Sequence, residues 1–409
     1  MKPSPPSQRV AAQLPLGMAS GLPLFLTGPT LTAWLESEAI SIEAIGVFAL
    51  VALPYNLKFL WAPLLDRFRL PWLGRRRGWM LLFQLLVCSS LVLLAAQQPQ
   101  GSLLAIAVLA LATAVLSASF DVAVDAYRTD VLEEDERGRG TSAYVIGYRL
   151  ALIVAGSGAL ILADVVGWRS TYLIMAALVG LGAVASWWAP ATEEIEAPRS
   201  LRESVVAPFS ELLGRRAIVG LLAIVVLYRV GDSLVMHMIV PFLLEIDFSN
   251  TEIGVVQKGF GMAATILGVW LGGSLVDRLG PWKALLLFGL VQALANLGYI
   301  ALAVGDRSLV MLAAAVVVDN VCNGLGTAAF VTFLTALCHH RFSATQYALL
   351  TSLSTVLGRL LAAGSGFVVA ALGWAALFGG TVAAAIPALA VIYVLARKKI
   401  AVGQSARAV

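Results

Sequence analysis

Long apolar runs alternate along this chain with brief polar stretches. A membrane-spanning helix needs about 20 mostly apolar residues. The pattern predicts twelve spans, at 13–35, 42–63, 79–96, 102–125, 141–163, 171–189, 217–244, 251–275, 283–303, 308–335, 345–370 and 374–396. The longest polar stretch, 190–216, follows the sixth span and divides the chain into two sets of six. The expected fold is therefore an all-α integral membrane protein. It has an N-terminal six-helix bundle over 1–189, a linker over 190–216 and a C-terminal six-helix bundle over 217–409. Within the linker, 201–213 reads as a short interfacial helix. The connections leave no room for a separate soluble domain.

Composition agrees, with 59% hydrophobic and 13% charged residues and a mean hydropathy of +0.87. Of the 28 Lys and Arg, 21 fall in loops on one side of the predicted topology and 2, Arg169 and Arg307, on the other. By the positive-inside rule both termini are cytoplasmic. The net charge of +4 is then a topology signal and does not point to nucleic acid. The first span is full length with no clear cleavage site after it, so it does not read as a cleaved leader. Cys88, Cys322 and Cys338 match no metal spacing and are not expected to form disulfides. No metal and no cofactor are expected, and the chain is read as a monomer in membrane lipid.

Ten ionisable residues interrupt the spans: Lys58, Asp121, Asp125, Arg149, Arg229, Asp232, His237, Lys258, Asp319 and Arg359. A charge in hydrocarbon costs at least about 2.5 kcal/mol. So many must be paired or line a watered cavity, as in a protein that moves a polar solute. Positive groups outnumber negative ones, which suits an anionic cargo. Arg149, Arg229, Lys258 and Arg359 are the candidate contacts for its carboxylates. Tyr55, Asn56, Tyr148, Gln257, Asn320 and Asn323 supply hydroxyl and amide partners, and Trp34 a stacking platform or lid. Asp121 and Asp125 share one helix face and read either as a proton site or as part of a structural gate with Arg128. Arg229 and Asp232 can pair along one helix. Asp232, then Asp319, are the leading proton-coupling candidates. His237 reads as a satisfied helix histidine.

The halves echo each other at an offset near 208. Ile45-Gly46-Val47 matches Ile253-Gly254-Val255, Ser41 matches Ser249, and Ala155-Gly156-Ser157-Gly158 matches Ala363-Gly364-Ser365-Gly366. Ser249 with Glu252, and Ser343 with Gln346, read as capping boxes. Gly156, Gly158, Gly364 and Gly366 read as packing glycines, and Gly21-Leu22-Pro23 with Gly28-Pro29 as breaks in span one. Asp66-Arg67 follows span two and Asp277-Arg278 follows span eight. With Arg128 they form a candidate cytoplasmic gate. Gly273-x-x-x-Asp277-Arg278-x-Gly280-x-x-Lys283 resembles the loop signature of the major facilitator superfamily, whose fold of parallel six-helix repeats fits this pattern. In the first copy Ala62 replaces the glycine, and Pro71-Trp72 lengthens the loop.

Other segments resemble a narrower family. They are Gly17-Met18-Ala19-Ser20-Gly21-Leu22-Pro23, Lys58-Phe59-Leu60-Trp61-Ala62-Pro63-Leu64-Leu65-Asp66-Arg67, and Asp121-Val122-Ala123-Val124-Asp125-Ala126-Tyr127-Arg128-Thr129-Asp130. With them go Gly147-Tyr148-Arg149-Leu150, Tyr228-Arg229-Val230-Gly231-Asp232 and Phe342-Ser343-Ala344-Thr345-Gln346-Tyr347. From about residue 13 to 396 the chain is similar to the AmpG-type muropeptide permeases. The resemblance implies a proton-coupled importer in the inner membrane of Gram-negative bacteria. Its cargo would be N-acetylglucosaminyl-1,6-anhydro-N-acetylmuramyl peptides, taken up for cell-wall recycling and, in some species, linked to β-lactamase induction. Some members carry two further hydrophobic segments. Other anionic cargo, such as an acetyl-CoA-like or phosphate ester, and lipid flipping are the alternatives. An integral-membrane enzyme is disfavoured, because the acidic run 133–136 lacks a nucleotide-cradling glycine pattern. An ATP-driven pump is disfavoured because no Walker sequence is present.

Overall fold

The computed structural model describes residues 5–70, 73–192, 198 and 200–400, without the side chains of residues 42, 43, 49, 237, 250, 258, 356, 359 and 363. Among them, nine helices are long and apolar enough to cross a membrane, and the apolar stretch Ala44–Leu60 is shorter. The difference from twelve has local causes. The stretches Arg137–Trp188 and Ser343–Arg397 each run on through a glycine with non-helical torsions, Gly167 (φ 77°) and Gly373 (φ 78°). Span two is not one helix. It runs as Ile42–Val47, a 3-10 turn Phe48–Ala52, Leu53–Leu57, a second 3-10 turn Lys58–Leu60, and Ala62–Arg67. Pro54 and Pro63 withhold two backbone donors there and favour short pieces. Span one breaks at Thr27-Gly28, between Pro6–Leu26 and Pro29–Ser37, while Pro23 is carried inside the first helix. Residues 201–213 form the expected helix Leu201–Leu213.

The internal repeat reappears in the backbone. The positive-φ residues Gly74 and Gly167 recur 206 positions later as Gly280 and Gly373, and Ala39 recurs 208 later as Asp247. Ser249 and Glu252 form the expected capping box, with Ser249 N–H donating to Glu252 (2.8 Å) and Glu252 N–H to the Ser249 hydroxyl (3.2 Å). Ser41, its repeat partner, accepts from Ala44 N–H. Span eight departs from α geometry where span two does, through a π-helical turn at Gly254–Phe260. Such turns widen the ladder and occur often at functional sites.

The chain divides into two compact units. Unit one holds Met1–Glu136, Ala143–Phe209 and Cys338–Ala348; unit two holds Arg137–Ser142, Ser210–Leu337 and Leu349–Val409. Unit one closes around Leu22, Leu26, Trp34, Val87, Leu91, Tyr172 and Met175. Unit two closes around Phe242, Phe248, Tyr299, Leu312, Val316 and Phe378. Large apolar side chains such as Leu104 (79% exposed), Val219 (81%) and Phe367 (81%) point outward. Outward apolar side chains suit a surrounding of lipid, and each helix satisfies its own backbone polar groups.

Close packing uses other glycines than Gly158, Gly364 and Gly366, where an added Cβ would meet at most its own helix. At Gly324 it would lie 2.5 Å from the Thr265 carbonyl oxygen and 2.6 Å from Val269 N, backbone that cannot yield. Gly324→Ala is expected to destabilise unit two by about 1–3 kcal/mol. Gly366→Ala, with nothing within 4 Å among the described residues, should be tolerated. Thermal unfolding of the two purified variants checks the contrast.

Candidate functional site

The intramembrane charges gather in separate clusters, each inside one unit. In unit one, helix Pro99–Val131 presents Asp121, Asp125 and Arg128 on one face. Asp125 accepts from Lys58 (3.2 Å) and from Arg128 (2.9 Å). Asp121 accepts from the Ser20 hydroxyl, which also bonds the Tyr144 hydroxyl (2.8 Å). Arg128 is fully buried. Its guanidinium sits 4.2 Å from the Tyr144 ring centre and 5.1 Å from that of Tyr347, whose hydroxyl it reaches at 2.7 Å. Two aromatic faces hold the cation in place. Tyr148 stacks beside Tyr144 at 6.5 Å, and Tyr55, Asn56 and Arg149 are half-buried. Trp34 is 3% exposed and packs on Trp168 (6.2 Å) and Tyr172 (4.9 Å), so neighbouring rings already occupy it.

The loop carboxylates form the second feature. Asp66, fully buried, accepts from Arg76 (2.7 Å), Arg75 (3.1 Å), Thr345 N–H (2.9 Å), the Thr345 hydroxyl (2.7 Å) and Ala344 N–H (3.4 Å). Arg76 also holds Asp130 at 2.8 Å and the Ser343 hydroxyl at 2.8 Å. Asp66 therefore caps the N-terminus of helix Ser343–Arg397, where first-turn N–H groups and the helix dipole favour an anion. The expected Ser343–Gln346 capping box does not form. Gln346 instead accepts from His339 N–H (2.7 Å) and donates to the Pro208 carbonyl (3.1 Å). In unit two Asp277 repeats the device. It accepts from Gly138 N–H (2.7 Å), Arg139 N–H (3.1 Å) and the Arg139 side chain (3.0 Å), at the start of helix Arg137–Ile153. A Cβ on Gly273 would lie 2.7 Å from the Gly138 carbonyl oxygen, which accounts for the glycine in the motif. Arg67 lies over the Phe68 ring (5.7 Å) and Arg278 is exposed, and neither joins an ion pair among the described residues. The carboxylate, rather than the arginine beside it, makes each connection.

The third cluster lies in unit two. Helix Ile218–Leu227 ends before Tyr228-Arg229, and the chain continues as Val230–Glu245. Arg229 lies 3.7 Å from Asp232 and donates to Thr327 (3.2 Å). Asp232 also accepts from Asn323 (3.3 Å). Asp319 accepts from Gln292 (2.9 Å) and Tyr299 (3.0 Å). Asn320 accepts from Thr265 (2.8 Å). Gln257 falls in the π turn, its buried Nε2 without a partner among the described residues. The side chains of His237, Lys258 and Arg359 lie outside the described residues. Ser20, Tyr144, Tyr347, Thr327, Gln292 and Tyr299 escaped the sequence reading. Uncharged groups cost less in hydrocarbon and do not stand out among apolar neighbours.

The sequence pattern of the Major Facilitator Superfamily matches residues 14–363. The chain is 43% identical over 389 residues to the anhydromuropeptide permease of Escherichia coli (strain K12), covering 94% of this chain and 79% of that protein. It is 32% identical over 397 residues to AmpG 4 of Rickettsia felis, covering 94% and 95%. Among solved structures it is similar to the human organic anion transporter MFSD10, with a TM-score of 0.72, 17% identity and coverage of 95% and 100%. It is also similar to the proton:xylose symporter XylE, with a TM-score of 0.70, 10% identity and coverage of 97% and 95%. At those identities the likeness carries the fold. The chain is a multi-pass membrane transporter and belongs to the anhydromuropeptide permease family of the major facilitator superfamily.

Proposed function

We propose that the protein imports anhydromuropeptides from periplasm to cytoplasm across a bacterial inner membrane, by alternating access driven by protons, as part of cell-wall recycling. The observation that carries this reading is the 43% identity over 94% of the chain to a protein named for that cargo. The polar clusters supply a chemical rationale. The cargo is an anionic amino-sugar peptide. Arg128, fully buried, and Lys58, 12% exposed, are committed to Asp125, whereas Arg229 is 28% exposed and holds its carboxylate loosely at 3.7 Å. Arg229 is the described cation best placed to exchange an internal carboxylate for one on the cargo. Arg149, Lys258 and Arg359 are the further candidates, and Tyr55, Asn56, Tyr148, Gln257 and Asn320 the candidate sugar and amide contacts. Asp66 and Asp277, each with its helix N-terminus, are the cytoplasmic gate in this reading. The unit boundary falls inside both capped helices.

Equilibrium binding of a labelled anhydro-disaccharide peptide to the purified protein tests the cargo. Unlabelled anhydromuropeptide should compete, and a coenzyme A ester or lysophospholipid should not. Competition by the ester or lipid alone would replace the cargo. Arg229→Ala should weaken binding by about 30-fold or more, since removing one partner of the charge pair that Arg229 would form with the bound cargo carboxylate costs roughly 2 kcal/mol or more. Arg229→Lys should restore it in part, because the planar fork is lost.

The cytoplasmic placement of both termini is also a proposal. A cysteine at exposed Gln98, in the turn before helix Pro99–Val131, should react with an impermeant thiol reagent from outside intact cells. Reaction only after lysis would reverse the orientation.

A further inference from the structure

Unit two contains a partly open cavity of about 20 Å³, room for roughly one water-sized sphere. Tyr228, Asp232, Gln292, Asn296 and Thr381 form its polar wall. Gln292 is 8% exposed and Asn296 2%. Their orientations are fixed by their neighbours. Gln292 Nε2 donates to Asp319 (2.9 Å), so its Oε1 must point the other way. Asn296 Nδ2 donates to Thr381 Oγ1 (2.9 Å), and that hydroxyl donates to the Phe378 carbonyl (2.7 Å), so Asn296 cannot turn over without losing a bond. Gln292 Oε1 and Asn296 Oδ1 are thus buried acceptors without a donor among the described residues, carried by side chains that line the same cavity as Asp232.

We infer that this cavity binds one small monovalent cation, sodium or hydronium, between the Asp232 carboxylate and the amide oxygens of Gln292 and Asn296. An all-oxygen set suits a hard cation, and the size suits a single ion. Among the described residues Asp232 is the charged group on its wall; Arg229 pairs with Asp232 from the same segment, and Asp319 lies behind Gln292. Helices Pro281–Ala295 and Ser343–Arg397 contribute the neutral Gln292 and Thr381. A cation here compensates Asp232 and loosens its hold on Arg229. Ion loading then frees the group that takes the cargo carboxylate, which links the two bindings thermodynamically. Asp319 is a positioning residue, orienting Gln292. The inference rests on the reading of Asp232 as the coupling carboxylate and adds where and with which partners the ion sits.

The test uses the full-length protein. Its melting temperature is measured in sodium chloride against choline chloride at equal ionic strength, and its proteoliposomes are given a sodium or a pH gradient. Sodium as occupant raises the melting temperature and drives accumulation. Hydronium as occupant leaves the sodium arm flat and makes accumulation follow the pH gradient. In either case Gln292→Leu and Asn296→Leu should weaken the cation response about tenfold or more. Asn296→Asp, which keeps an oxygen there, should retain it. If the leucine variants do not fold, Thr381→Val, which lets Asn296 turn, should give the same weakening. Leucine variants that respond as the wild type does, or a wild type that responds to neither cation, would overturn the inference. Loss of coupling in Asp232→Asn with full coupling in both leucine variants would discard the cavity and keep Asp232. Full coupling in Asp232→Asn would discard Asp232 itself.

Discussion

Asp232→Asn is expected to abolish uphill uptake while exchange of external for internal cargo continues. Asparagine keeps the shape of the side chain and an oxygen for Asn323, which donates to Asp232 at 3.3 Å. It removes the charge that holds Arg229 at 3.7 Å. In the proposed mechanism the ionised carboxylate and the cargo compete for Arg229, so discharging Asp232 favours loading and its recharging favours release. A permanently neutral residue leaves Arg229 open to cargo in every state. Movement down the cargo gradient survives, and the drive does not. Uptake and exchange in proteoliposomes, each with and without an imposed pH gradient, separate the two. Accumulation by Asp232→Asn in response to pH would move the coupling role to Asp319 or to the Asp121 and Asp125 pair.

Asp66→Ala is expected to be the most damaging single change to stability in the loop network. It leaves the buried Arg75 and Arg76 and two first-turn N–H groups without their common acceptor. Breaking a buried charge pair from one side costs about 3–5 kcal/mol. Asp277→Ala should cost less. Its arginine partner, Arg139, has a 53% exposed side chain, and exposed pairs contribute roughly 1 kcal/mol or less. The lost cap adds about 1 kcal/mol. Melting temperatures of the two variants in detergent check the order. Equal losses would mean that burial of Asp66 contributes nothing beyond its counterpart.

The sequence carried the architecture because membrane solvation writes it plainly. Apolar length marks the helices, loop cations mark the sides, and the repeat shows twice, in residue identities and again in the positive-φ positions at Gly74, Gly167, Gly280 and Gly373. The charged members of each cluster were legible for the same reason, since every one is an exception in hydrocarbon. Their partners were not. Asp66 meets Ala344 and Thr345 across 278 and 279 positions, a pairing that no local pattern announces. A capping box was expected at Ser343 because the local motif is complete, but Gln346 is engaged by His339 N–H and the Pro208 carbonyl, and a distant carboxylate takes the Ala344 and Thr345 N–H groups instead. Gln292 and Tyr299 reveal themselves only through Asp319, and the glycines that matter for packing are those facing another backbone.

The most direct test of the account is uptake of labelled N-acetylglucosaminyl-1,6-anhydro-N-acetylmuramyl peptide into proteoliposomes holding only this protein. With the outside made acid, the peptide should accumulate above its external concentration, and a protonophore should collapse that accumulation. Failure to take up the peptide under any gradient, in vesicles that do move a coenzyme A ester or a lysophospholipid, would contradict it.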